Sequence, residues 1–365
     1  MDIQTRLGRL ALLDNDPQQA ISHFASVLNS GLRTRTNWEL LADAYLVNDE
    51  PGQAALCYER AGRSGLAGTL AVMASLEVRQ VTGAVDCAEL EWQSGSDLPL
   101  IRAEVNGNFL NLLVDTAASD LVLDEKVAIA AGILHGGSEM RFFAGGLSST
   151  VTYGYIETLQ LGELAIHHIL TQNLDLQSRL AAYSSAVSIH GILGLSVLSR
   201  FKTALDFKQG SLRLCIDRSV ANTLSPEITP NQFPMWIADH QFILVQAQMQ
   251  NAETALWAID TGMSGAAFAI SSATAEAAGL ALQAGEQEAG IGGGGNVEGQ
   301  RVKLPSLRLG GFERNNVEGM ALETFALQGR LGFRIAGMLA GDFFQDARLT
   351  LDFSRMLLSL DQRSY

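Results

Sequence analysis

Apolar positions in the first 68 residues recur at helical spacing. Trp38, Leu41, Ala42 and Tyr45, then Ala54, Tyr58 and Ala61, fall three and four residues apart, the pattern of amphipathic helices. From about residue 98 the pattern changes. Short apolar or alternating runs bounded by Gly, Asn and Ser (LPLIRAEV, FLNLLVD, YIETLQL, FKTALDF, SLRLCI) predict β-strands. A second block from about residue 235 (QFILVQAQM, TALWAID, VKLPSLRL, ARLTLDF, MLLSL) predicts another set. Between the blocks, SVANTLSPEITPNQFP carries Pro226, Pro230 and Pro234 and has the composition of a linker.

Both halves of this pattern repeat internally. Moving back 34 residues from the second helical copy puts Leu7, Gly8, Ala11, Ala20, Phe24 and Val27 in the matching places. Pro17 and Pro51, also 34 apart, follow acidic and amide residues, as a proline at the first position of a helix does. This period and these positions resemble the tetratricopeptide repeat. Two repeats leave an apolar end exposed, and TLAVMASLEVRQ (69–80) is expected to be a helix that covers it. In the β-blocks, LLVDTAASDLVL (112–123) and LWAIDTGMSGAAFAI (256–270) each drive an aspartate into an apolar setting, Asp115 and Asp260, 145 residues apart. GILGLSVLSRFKTALDF (191–207) matches GMLAGDFFQDARLTLDF (337–353) at a shift of 146, and LQLG (159–162) matches LRLG (307–310) at 148. Near-constant offsets over three motifs describe two homologous β-lobes in one chain. The expected organisation is helical repeats over 1–80, a linker over 81–97, a first lobe over 98–218, a Pro-rich linker over 219–234 and a second lobe over 235–365.

Composition narrows the function classes. The chain is 47% hydrophobic and 18% charged, enough apolar material for packed cores. A formal net charge of -14 repels phosphate backbones and argues against nucleic acid as a partner. Cys57, Cys87 and Cys215 are scattered and odd in number, so neither a disulfide framework nor a structural zinc site is expected, and no metal or cofactor is called for. No run of about 18 apolar residues suggests a membrane span. The start MDIQTRLGRL lacks the basic and apolar stretches of a signal peptide, which reads as cytoplasmic; a leader already removed, and with it a periplasmic or cell-envelope location, leaves the same start.

An apolar strand ending in Asp-Thr-x-x-Ser, a Gly-rich segment some residues later and a distal Gly-rich apolar motif occur in each lobe: DTAAS, FFAGGLSS and GILGLSVL, then DTGMS, GIGGGGNV and GMLAGDFF. Together they resemble the aspartic proteases over roughly residues 98–361, and the short lobes with a glycine hairpin in each are closer to the retropepsin-like branch. The resemblance implies a mainly β fold of two acid-protease barrels forming an internal pseudo-dimer, preceded by the small all-α domain. It implies peptide-bond hydrolysis by water activated between Asp115 and Asp260, because two close carboxylates share one proton. It assigns Thr116 and Thr261 to a cross-lobe hydrogen-bond pair, and residues 117 and 262 to backbone N–H groups near the carboxylates. Gly262 keeps that pattern and Ala117 departs from it. Ala144, Gly145 and Gly146, and Gly292, Gly293 and Gly294, are the candidate flap tips. Ala118 and Met263 lack the hydroxyl that pepsin-like enzymes usually carry, which disfavours the ionised carboxylate and implies a milder working pH. The partner implied is a peptide or protein substrate, with a further protein partner on the helical repeats, and the internal pseudo-dimer is compatible with a monomer. The alternative, supported by Ala117, is a catalytically weak or inactive pseudo-protease acting as a peptide- or partner-binding scaffold through the cleft and helical repeats.

Overall fold

The computed structural model describes residues 2–96, 98–142, 148–180, 187–217, 231–250, 252–281, 288–292, 295–323 and 333–362. Five helices come first: α1 (Ile3–Leu13), α2 (Pro17–Asn29), α3 (Arg35–Val47), α4 (Pro51–Arg60) and α5 (Ser64–Met73). The side chains of Asp2, Asp16 and Thr34 cap α1, α2 and α3 by accepting first-turn N–H groups, and Pro17 and Pro51 open α2 and α4. The small residues at the repeat positions let the helices close up. Ala20, Ala42 and Ala54 are fully buried, and a Cβ at Gly8 would lie 2.5 Å from the Phe24 ring. The helix expected over 69–80 is α5, shifted toward the N-terminus. It stops at Met73, turns follow, and Gln80, the last residue of the expected helix, instead opens a strand that pairs Gln80–Gly83 with Leu164–His167. Among the described residues, no helix is long and apolar enough to cross a membrane.

The first lobe runs β1 (Gln80–Gly83), β2 (Cys87–Glu91), β3 (Leu100–Val105), β4 (Asn108–Val114), β5 (Leu121–Asp124), α6 (Glu125–Ala130), β6 (Leu134–Phe142), β7 (Ser148–Leu161), β8 (Leu164–Leu174), α7 (Leu176–Leu180), β9 (Gly191–Leu193), α8 (Leu195–Leu198), β10 (Lys202–Asp206) and β11 (Ser211–Cys215). The second runs β12 (Gln232–Pro234), β13 (Trp236–Ala238), β14 (Phe242–Met249), β15 (Ala255–Asp260), β16 (Phe268–Ser271), α9 (Ser272–Ala277), β17 (Glu288–Gly292), β18 (Gly295–Leu309), β19 (Phe312–Leu322), β20 (Gly337–Ala340), a short 3-10 turn, β21 (Arg348–Asp352) and β22 (Leu357–Asp361). In each lobe six strands close into a barrel. The order β8-β5-β9-β4-β3-β7 is closed by β7 returning to β8, and β14-β15-β20-β16-β19-β18 by β18 returning to β14. The parallel pairs β4–β9 and β5–β8 of the first lobe recur as β15–β20 and β16–β19 in the second.

A third, six-stranded sheet joins the lobes in the order β12-β22-β21-β10-β11-β2. Its two central strands carry a symmetric pair of ion contacts. Arg348 meets Asp206 at 2.9 Å and Lys202 meets Asp352 at 3.4 Å, each a lobe-one to lobe-two bridge. Asp206 also accepts the N–H groups of Lys208 and Gln209, and Asp352 that of Arg355, so the two aspartates of the repeated LDF segment are turn-forming residues at strand ends. Residues 81–97, expected as a linker, contribute β2 to this sheet, and Gln232–Pro234 from the Pro-rich stretch contributes its far edge. Cys87 and Cys215 face each other across β2 and β11 and form a disulfide, contrary to the expectation from their spacing. The partners are 128 residues apart, so no local motif announces a pair that only strand register brings together. Cys57 is a free, buried thiol in α4.

Candidate active site

The strand that ends at Val114 is held by β9, and the N–H of Asp115 donates to the Leu193 carbonyl at 3.1 Å. Asp260 ends β15 and lies opposite Ala340 of β20. In each lobe the strand supplying the aspartate is thus fixed by a parallel neighbour. The loop beyond it is braced from behind: Leu195 and Ser196 donate their N–H groups to the carbonyls of Ala118 and Ser119, both at 2.8 Å, and Gly341 donates to Met263 at 3.2 Å. The repeated GILG and GMLAG segments therefore shape the two loops through their backbones.

Thr116 and Thr261 are fully buried and lock the loops to each other. The Thr116 N–H donates to Thr261 Oγ1 at 3.1 Å, and the Thr261 N–H to Thr116 Oγ1 at 3.2 Å. Each hydroxyl then donates onward across the lobe boundary, Thr116 to the Ile259 carbonyl at 2.9 Å and Thr261 to the Val114 carbonyl at 2.8 Å. Four hydrogen bonds around one local two-fold axis fix the strand ends that carry Asp115 and Asp260.

On this support the two carboxyls lie close enough for the charge of Asp115 to act on Asp260. Oδ1 of Asp115 accepts the Ala117 N–H at 2.7 Å, and Oδ1 of Asp260 accepts the Gly262 N–H at 3.0 Å. A Cβ at Gly262 would lie 2.7 Å from Cγ of Asp115, so the second loop closes directly onto the first carboxylate. Glycine is required there for space, since Gly262 is not among the positive-φ residues. Burial pushes Asp115 up to about 6, opposed by the Ala117 N–H. Burial and then the neighbouring Asp115 charge push Asp260 well above the ordinary carboxylate range, opposed by the N–H groups of Gly262 and Met263. The pair holds a proton at pH values where isolated carboxyls are ionised.

Ala117 fits this frame. It does not adopt positive φ, so its methyl group imposes no left-handed strain. Its carbonyl accepts Nε2 of Gln241, from the turn between β13 and β14 of the opposite lobe, at 2.8 Å. Gln241 is a cross-lobe contact that sequence reasoning missed, because it lies in no motif. Sequence reasoning also missed a contact within the first lobe: Gln172 Nε2 donates to Asp120 Oδ2 at 2.6 Å while Ser119 Oγ donates to the same oxygen at 2.9 Å.

The candidate flap tips are carried on antiparallel hairpins, β6–β7 and β17–β18. Ala144, Gly145, Gly146, Gly293 and Gly294 lie outside the described residues; Gly292 ends β17 and pairs with Gly295.

Comparison with known proteins agrees with the duplication. The aspartyl protease family model matches twice, over residues 101–197 and 245–343, together more than half of the chain. No curated protein sequence matches the chain. Among solved structures, a retropepsin-like aspartic protease from Rickettsia conorii is similar at 19% identity, over 38% of this chain and 96% of its own, with a TM-score of 0.27. Basic 7S globulin from soybean is similar at 10% identity over 78% of this chain and 96% of its own, with a TM-score of 0.44. Conglutin gamma from lupine seeds is similar at 11% identity over 76% and 95%, with a TM-score of 0.45.

Proposed function

Because the chain belongs to the aspartyl protease family, we propose that it is an aspartic endopeptidase whose catalytic residues are Asp115 and Asp260. The observation that carries this reading is the mutual threonine lock, which holds two buried, proton-retaining carboxyls at one point between the lobes. Both carboxyls are raised and share one proton, and the titration belongs to the pair; written with Asp115 as the ionised member, Asp115 acts as base and Asp260 as acid.

In this mechanism a water between the carboxylates loses a proton to Asp115 as its oxygen bonds to the scissile carbonyl carbon. Asp260 donates its proton to the carbonyl oxygen, leaving a neutral tetrahedral diol. Collapse of the diol breaks the C–N bond, with the proton held by Asp115 passing to the leaving nitrogen and a diol proton returning to Asp260. No covalent enzyme intermediate forms. The N–H groups of Ala117 and Gly262 keep the carboxylates oriented through the cycle. The substrate lies extended between the lobes, pairing its backbone with the β6–β7 and β17–β18 hairpins in a strand-like manner. Ala117 is compatible with activity because its N–H is retained as a donor. The helical domain is read as tetratricopeptide-like, with Trp38, Tyr58 and the small residues in the repeat positions.

The test is cleavage of an unstructured peptide library by the full chain and by Asp115→Asn and Asp260→Asn. Cleavage by the wild type that either substitution abolishes is the expected result. A wild type that binds peptides and cleaves none overturns the reading in favour of a peptide-binding pseudo-protease.

A further inference from the structure

The internal two-fold of the β-lobes is broken by the helical domain, which packs against one end of the cleft. Three walls define that end: the first-lobe hairpin, the loop running on from Asp115, and the facing turn of the second lobe. The helices touch all three. Leu66, Leu70 and Met73 of the α5 region share one buried cluster with Val151 and Tyr153 of β7, and Val122 of β5 packs on it. Arg63 donates to Glu139 of β6 at 3.0 Å and to the Tyr153 hydroxyl at 2.7 Å, and the Leu66 N–H donates to Glu139 at 3.2 Å. A Cβ at Gly137 would lie 2.3 Å from the Cα of Gly65, so helix and hairpin meet backbone to backbone.

On the second wall, Asp120 lines a cavity of only about 50 Å³ whose other side is Asp49, Pro51, Leu70 and Met73 of the helical domain. On the third, α1 packs against β13, and Asp43 of α3 feels the charge of His240, the neighbour of the Gln241 that holds the Ala117 carbonyl.

The repeat offsets locate the counterpart of the second wall. Asp120, Leu170 and Ser196 correspond to Gly265, Glu318 and Asp342. The former three line the small cavity that the helices close off, and the latter three line a cavity of about 250 Å³ whose lining, among the described residues, belongs to the second lobe. The same place in the fold is plugged in one lobe and open in the other.

We propose that the helical domain caps this end of the inter-lobe cleft and confines hydrolysis to bonds close to one terminus of the peptide chain. The proposal rests on Asp115 and Asp260 being the catalytic residues. The five residues from Asp115 to Asp120 span at most about 17 Å, at about 3.5 Å per residue. An extended substrate at about 3.3 Å per residue therefore fits no more than about five residues between the scissile bond and the cap. The cap is fixed in place. Swinging it away would expose Leu66, Leu70, Met73, Val151 and Tyr153 to water and leave Glu139 without its guanidinium partner.

The experiment compares a long unstructured linear peptide with its head-to-tail cyclised form, both given to the full chain, with products mapped by mass spectrometry. The expected result is release of short fragments from one end of the linear peptide and loss of cleavage on cyclisation. Glu139→Gln, which weakens the anchor without touching the dyad, is expected to spread the cut sites toward the middle of the linear peptide. Equal cutting of linear and cyclic forms at internal sites overturns the cap while leaving the protease reading intact. Failure to cut either form, by wild type and by Glu139→Gln alike, overturns both. Cutting that appears only in Glu139→Gln overturns the proposal in favour of a helical domain that blocks the whole cleft.

Discussion

Replacing Asp115 by Asn is expected to make the protein more stable at neutral pH while removing its activity. The carboxyl rises from an ordinary value of 3.8 to about 6 because burial penalises its charged form. A carboxyl whose folded-state pKa lies above its unfolded one holds its extra proton only in the folded state. Its contribution to stability is full below the ordinary value and is lost as pH rises through the folded-state value. At about 1.36 kcal/mol per pKa unit, the rise from 3.8 to about 6 amounts to roughly 3 kcal/mol lost by pH 7. Asn has no charge to bury, and its side-chain oxygen still accepts the Ala117 N–H. It also relieves the Asp260 carboxyl of its like-charged neighbour. The variant should therefore match the wild type near pH 3.5 and exceed it by up to about 3 kcal/mol at pH 7, the gap opening between pH 4 and 7. Denaturant unfolding of both proteins across that range measures it. A variant less stable than wild type at pH 7, or a gap independent of pH, would refute the reasoning, because the carboxylate would then be stabilised by its surroundings.

Four further outcomes follow from the same geometry. The activity of the wild type should rise with pH through about 6 as the pair loses its first proton, and fall again at higher pH as it loses the second; a pH–rate profile peaking below about pH 3 contradicts this. Thr261→Val leaves the Thr116 N–H and the Val114 carbonyl buried without partners, at a cost of about 2–4 kcal/mol, whereas Thr261→Ser keeps both bonds; thermal melts of the two variants separate these cases. Gly262→Ala places a methyl group against the Asp115 carboxylate and should lower kcat/KM at least about ten-fold, while Ala117→Gly retains activity; similar rates for both glycine-site variants would show that the loop yields easily. Cys87→Ser opens a 128-residue loop and should cost up to about 5 kcal/mol, read as a lower denaturation midpoint that reducing agent reproduces in the wild type.

Much of the architecture was legible because its determinants are local. Pro17 and Pro51 announce helix starts through a missing N–H and a fixed φ, and the structure places each at the first turn. The duplicated strand-Asp-Thr segment announces a pair because an aspartate in an apolar run needs a reason to be there. Thr116 and Thr261 could be assigned only through resemblance. Their bonds depend on two strand ends meeting across 145 residues of chain.

By itself, then, the sequence determined the helical start, the two β-lobes and the two aspartate loops, all properties of short windows and of a repeat offset. The tertiary structure decided the rest. Strand register built the sheet shared by the lobes and brought Cys87 to Cys215. It sent Gln80–Gly83 into the edge of the first lobe instead of continuing a helix. Above all it decided which lobe the helical domain leans on. The two lobes carry nearly the same motifs, and no local pattern says that Glu139 will meet Arg63. That choice is made by a buried apolar surface assembled from distant segments, and it is what turns a symmetric pair of lobes into an asymmetric site.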